Sequence, residues 1–137
     1  MRLASVFVAF IAVAAIARAD IVKDHAGRIV ISPDAPPTLA TELAAYIKAN
    51  VTKDDAYEAI KGSPWEIHLV GFLSADATDV TLEIGDLDKL PVAAKKRLVI
   101  TSTKLTTAAG YVANKTYAVR LVSRKKVLAR ATLRLRD

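Results

Sequence analysis

The chain has 137 residues, of which 53% are apolar, and this excludes a disordered or purely charged tail protein. Five glycines and five prolines exclude collagen-like and low-complexity chains, and the lack of cysteine removes disulfides, thiolate metal sites and thiol catalysis together. The formal net charge is +6, and only two histidines, His25 and His68, are present, so histidine-rich metal centres are excluded as well.

In chain order, the first element is an apolar run. Arg2 precedes residues 3–17, LASVFVAFIAVAAIA, and Ala17-Arg18-Ala19 then offers a small-x-small cleavage site. A positive start, an apolar stretch and a small-residue site in that order predict a secretory signal peptide over residues 1–19, cut between Ala19 and Asp20. As a retained anchor, a 15-residue helix would span only about 22 Å of a hydrocarbon core roughly 30 Å thick. The expected location is therefore periplasmic or secreted. A secreted domain without disulfides fits a bacterial envelope better than an animal fluid.

Residues 20–62 predict a short strand followed by helices. Arg28 to Ser32 is a β-rich run closed by Pro33, Pro36 and Pro37. Leu39, Leu43, Tyr46 and Ile47 recur at helical spacing, with Thr38 as N-cap and Asn50 as the stop. Thr52 to Asp55 resembles a capping box, and it predicts a second short helix carrying Ala56, Tyr57 and Ile60 and ending near Gly62.

From residue 63 to 137 the period becomes two. Trp65, Ile67 and Leu69 alternate with polar residues, and so do Val80, Leu82 and Ile84. Leu98 and Ile100 alternate with Val99 and Thr101, a weaker pattern because Val99 is apolar. Tyr117, Val119 and Leu121 alternate with Ala118 and Arg120, and finally Val127, Ala129, Ala131, Leu133 and Leu135 with Arg130, Thr132, Arg134 and Arg136. Short strands at this spacing predict an antiparallel sandwich, and helices that precede the strands speak against a parallel α/β fold. The expected fold is α+β and mainly β, packed as one domain, with a sandwich of six to seven strands.

The segment Val112-Ala-Asn-Lys-Thr-Tyr117-Ala-Val119-Arg-Leu121 resembles the E–F corner of fibronectin type III and immunoglobulin-like domains. The resemblance covers about 30 residues with the following hairpin, and it departs from the usual pattern in having Thr116 and Tyr117 adjacent. It implies an immunoglobulin-like sandwich, a Tyr117 hydroxyl bonded back to the preceding loop, and a role in binding or structure. It also implies that Val80–Ile84 lies beside the strand of Tyr117, with Glu83 near Arg120.

Charge is divided unevenly. Residues 20–88 hold five basic and 13 acidic residues, net −8, whereas residues 89–137 hold 13 basic residues and Asp137, net +12. The last hairpin concentrates the excess. A three-residue loop of Arg124, Lys125 and Lys126 pairs Val119 with Ala131 and sets Arg120 opposite Arg130 on the outer face. Arg134 and Arg136 extend that face. Like charges opposite one another are destabilising, so something negative should lie nearby. The candidate anion-binding residues are Arg120, Arg124, Lys125, Lys126, Arg130, Arg134 and Arg136. The expected partner is an anionic envelope component or an acidic protein surface. No aromatic residue interleaves these cations, which speaks against nucleic acid.

No catalytic motif and no cofactor signature is present: there is no G-x-S-x-G, P-loop, dinucleotide loop or H-E-x-x-H. Asp76, Asp79, Glu83, Asp86 and Asp88 cluster in sequence but lack the EF-hand spacing, so no metal site is expected. The sequence points to a non-enzymatic binding or structural module of the cell envelope. Two alternatives are an envelope hydrolase using His68 and an assembly subunit pairing through an edge strand.

Overall fold

The computed structural model describes residues 21–60 and 64–137. The expected signal peptide and its cleavage site lie outside the described residues, as does the expected helix end near Gly62. Residues 21–24 are helical, and the remaining order is β1 (Ile29–Ser32), α1 (Ala40–Asn50), β2 (Ala56–Ala59), β3 (Trp65–Phe72), β4 (Val80–Ile84), β5 (Asp88–Val92), β6 (Leu98–Leu105), β7 (Thr116–Ser123) and β8 (Lys126–Leu135). The strands form two sheets, one ordered β1-β3-β6 and the other β2-β8-β7-β4-β5. The chain is thus mainly β with a helical minority, as its periodicity predicts.

The two sheets close over one core. Ile67 and Leu69 of β3, Leu82 and Ile84 of β4, Val119 and Leu121 of β7 and Leu133 and Leu135 of β8 all belong to a single buried cluster. These are the inward positions of the period-two runs, and burying each side chain contributes about 1.5 to 3 kcal/mol. Gly71 lets the sheets approach, because the Leu121 methyl occupies the space that a Cβ there would need. Trp65 is 2% exposed and donates its indole N–H to the Arg136 carbonyl at 2.8 Å, so the only polar atom of this large side chain is satisfied.

α1 forms where the i, i+4, i+7, i+8 pattern places it. Leu43 and Ile47 are buried, and Tyr46 donates its hydroxyl to the Asp34 carbonyl at 2.7 Å. Burial pushes the Tyr46 phenol above its ordinary pKa. The helix starts one residue later than expected: Leu39, not Thr38, is the N-cap, has no side-chain capping bond and is itself exposed.

The expected second helix is instead a strand. β2 pairs in parallel with β8, Tyr57 beside Leu133 and Ala59 beside Leu135, so the sandwich is not wholly antiparallel. The capping signal is real but local: the Thr52 hydroxyl accepts the Ala56 N–H at 3.0 Å. Asp55 then adopts φ 52°, which ends any right-handed helix before it can propagate. Arg28 fixes the turn, donating from Nε to the Asp55 carboxylate at 2.8 Å and from Nη2 to the Thr52 carbonyl at 2.6 Å. Beyond it, alternation wins, because β8 offers a ladder and a buried slot for Tyr57 and Ala59.

β5 was not expected either. It lies at the edge of the five-stranded sheet, where Pro91 can sit without breaking a ladder on both sides. Eight strands are therefore present among the described residues. No helix among them is long and apolar enough to cross a membrane.

Candidate anion-binding hairpin

β7 and β8 pair as parity requires: Val119 faces Ala131, and Arg120 faces Arg130. The turn that achieves this is tighter than expected. Ser123 pairs with Lys126, leaving a two-residue loop of Arg124 and Lys125 at φ 51° and 67°. Positive φ at both central residues is the type I′ arrangement that matches the twist of a hairpin. This loop alone would shift every cross-strand pair by one residue. A bulge next to Leu121 and Val122 absorbs the shift, with Leu128 as the extra residue on β8. The bulge turns Leu128 inward, where it is buried.

The outer face carries the predicted stripe, and acidic neighbours reach only part of it. Glu83 sits opposite Arg120 in the β4–β7 ladder and forms an ion pair with it at 3.2 Å. Lys89 lies on the other side of Glu83 in the β4–β5 ladder. Arg136 Nη1 donates to Glu58 Oε1 at 3.4 Å, a contact that exists only because β2 is a strand. Arg130 neighbours Arg28 through a parallel bridge, and Arg28 is already engaged with Asp55. Among the described residues, no ion pair reaches Arg124, Lys125, Lys126, Arg130 or Arg134. The Nε atoms of Arg120 and Arg134 are buried against the sheet without hydrogen-bond partners.

Between these arginines the sheet surface is small-chained. Ala118 and Thr132 are cross-strand partners, with Ala56 beyond Thr132. Arg120 and Thr116 flank Ala118 along β7, while Arg130 and Arg134 flank Thr132 along β8. The residues between the arginines on this face are thus short: Ala118, Thr132 and Ala56.

Three cations that the sequence left unplaced join the free end of the hairpin. Lys95 and Leu98 exchange backbone hydrogen bonds of 2.9 and 3.1 Å around a turn made by Lys96 and Arg97. The Leu73 N–H donates to the Arg97 carbonyl at 2.8 Å, and the next amide, Ser74, donates to the Leu128 carbonyl at 2.9 Å. Two successive amides therefore hold the 95–98 turn and the start of β8 side by side. The signal in the sequence was the run Lys95-Lys96-Arg97, but only the topology shows that it shares an end with Arg124 and Lys125.

The opposite end of the hairpin is tied down. The Tyr117 hydroxyl accepts the Val112 N–H at 2.9 Å, the bond to the preceding loop that the resemblance implies. Tyr111 packs edge-on against Tyr117 with ring centroids 5.2 Å apart and donates its hydroxyl to Asp88 at 2.6 Å. Burial, reinforced by the Asp88 carboxylate, pushes the Tyr111 phenol far above its ordinary pKa.

The remaining sequence candidates do not converge. His68 Nε2 lies 3.7 Å from Glu66 Oε1 on the outer face of β3, flanked by its ladder partners Ser32 and Ser102. The Ser32 hydroxyl already accepts the Asp34 N–H at 3.0 Å. The five clustered acids are dispersed: Asp76 and Asp79 precede β4, Glu83 lies within it, and Asp86 and Asp88 follow it. No group of three or more His, Cys, Asp or Glu residues suited to a metal ion occurs among the described residues. The chain was compared with protein-family models, curated proteins and solved structures, and none of them matches.

Proposed function

We propose that this protein is a non-enzymatic binding module of the cell envelope, periplasmic or secreted, which meets an anionic partner through the β7–β8 hairpin. The observation that carries the reading is the unequal neutralisation of that hairpin. Five of its seven candidate cations have no acidic partner among the described residues, although the chain carries 14 Asp and Glu in all. A stripe kept only for solubility has no reason to set Arg120 against Arg130, where like charges cost stability. The partner is an anionic envelope component or an acidic protein surface, recognised by the charge of the hairpin.

The framework fits the immunoglobulin-like class. The strand order in both sheets, the parallel β2 beside the last strand and the Tyr117 bond to Val112 all support it. Trp65 is a departure, because it lies at the start of β3 in the smaller sheet. The fold class supports binding and adhesion generally, and the charges narrow the partner to an anion.

Arg130→Glu with Arg134→Glu should weaken retention on heparin resin while leaving the melting temperature unchanged. Unchanged retention of the folded double variant at low salt would refute the reading. Export is tested separately by expressing the intact chain in a bacterium. The recovered protein should have the mass of a chain beginning at Asp20 and should lie in the periplasmic fraction.

A further inference from the structure

We infer that the principal contact surface is the end of the sandwich, built jointly by two turns, and that it fits an anionic lipid bilayer. The inference rests on the anion-binding reading above and relocates its centre from the face of the hairpin to its tip. Lys95, Lys96 and Arg97 come from the turn between β5 and β6, and Arg124, Lys125 and Lys126 from the turn between β7 and β8. The amide of Leu73 holds the first turn at Arg97, and that of Ser74 holds β8 at Leu128, two residues past Lys126. All six cations belong to exposed residues. The acidic residues of the intervening 73–79 loop are Asp76 and Asp79, and only Asp76 forms an ion pair, with Arg97 at 3.0 Å. Six positive charges against two leave this end strongly cationic.

The backbone adds an independent reason. Lys96, Arg124 and Lys125 have φ values of 59°, 51° and 67°, where Gly or Asn is the comfortable residue. Long cationic side chains held in this region cost stability, and such strain clusters at functional sites. Each turn keeps its charge at a position where a neutral Asn or Gly would be more stable.

The surroundings favour a planar partner. Two short turns lie at the same end of the sandwich, and their exposed cations come from both sheets. None of the large exposed apolar side chains, Leu39, Ile60, Leu87, Ile100 and Val112, is in either turn, so contact is electrostatic and without insertion. Each Lys or Arg near an anionic bilayer strengthens binding about fivefold, and the attraction decays over about 8 Å at physiological ionic strength.

The test is co-sedimentation of the full chain with vesicles of phosphatidylglycerol and phosphatidylcholine, with pure phosphatidylcholine vesicles as the reference. Residues 1–20 carry Arg2, Arg18 and an apolar run, so each variant is compared with the wild-type chain on the same vesicles, where their contribution is constant. The expected result is stronger binding to the anionic vesicles than to the reference, with the difference removed by high salt. Lys95→Gln with Lys96→Gly should weaken it about 25-fold, and Arg124→Asn with Lys125→Gly by a similar factor. Both pairs place favourable residues at positive φ, so both variants should fold. If only the 124–125 variant loses binding, the two-turn surface is refuted while the hairpin reading stands. Retention on heparin resin without vesicle binding would refute the bilayer as partner. Failure of the wild-type chain to bind either material would overturn both this inference and the reading beneath it.

Discussion

The two ends of the β7–β8 hairpin carry similar charge and treat it differently. At the start of β7 and the end of β8, Arg136 is paired with Glu58, its carbonyl holds the Trp65 indole, and Tyr117 receives the Val112 amide. At the turn, Arg124, Lys125 and Lys126 have no acidic partner among the described residues, and two of them sit at positive φ. One end is built for stability, and the other gives up stability to keep charge. Positive charge on a strand is therefore not one feature: its role depends on whether the topology brings a carboxylate to it.

The sharpest way to break this contrast is at the tied end. Trp65→Ala should cost about 3 to 5 kcal/mol, read by chemical denaturation, because it empties a core site and orphans the Arg136 carbonyl. A loss below about 1 kcal/mol would mean that this end is not the stabilising one. Tyr117→Phe should cost about 1 kcal/mol, since it removes the acceptor for Val112 and keeps the ring. At the free end the sign should reverse. Arg124→Asn with Lys125→Gly should stabilise the protein by about 1 kcal/mol, because Asn-Gly suits a type I′ turn. Destabilisation there would show that the side chains at the tip have structural partners after all. The smallest effect is expected midway along the stripe, where Glu83→Gln should cost less than about 1 kcal/mol, as for other partly exposed pairs.

Alkaline pH probes the tied end in another way. Tyr111, Tyr57 and Tyr46 all have phenol pKa values raised mainly by burial. Below the ordinary tyrosine pKa of about 10, both folded and unfolded chains hold these protons, and stability is unaffected. Above it the unfolded chain releases them first, so stability should fall as pH rises through about 10 toward the raised folded values. Tyr111→Phe should blunt that fall in a pH-dependent denaturation series.

What the sequence revealed follows from which forces are local. Period-two alternation gave the faces of β3, β4, β7 and of β8 beyond its bulge, because each inward residue there is apolar whatever its partner. In β6, where Val99 and Ile100 are both apolar, it pointed to Ile100, but Val99 is the buried residue and Ile100 is exposed. Parity together with a three-residue loop set Arg120 opposite Arg130. The loop length behind that register was hidden, since a two-residue turn plus a bulge at Leu128 and a three-residue turn give the same pairs. β2 was misread because Thr52 does cap a turn, and only β8, far along the chain, makes Ala56–Ala59 a strand. β5 was masked by Asp88 and Pro91, residues that an edge position tolerates. At the candidate site, the arginines of the hairpin were legible, but the company of Lys95, Lys96 and Arg97 was not. No local pattern states which turns share an end of a sandwich.

The parallel pairing of β2 with β8 also sets an order of events during synthesis. Tyr57 and Ala59 find their ladder only in β8, and the Trp65 indole finds its acceptor 71 residues away at Arg136. A ribosome that has released the chain only as far as β7 holds a sheet with its central seam open. β2 then has no ladder partner, and Arg28 holds the turn that leads into it. Until β8 emerges the chain remains threadable, and the fold closes in one late step when it does.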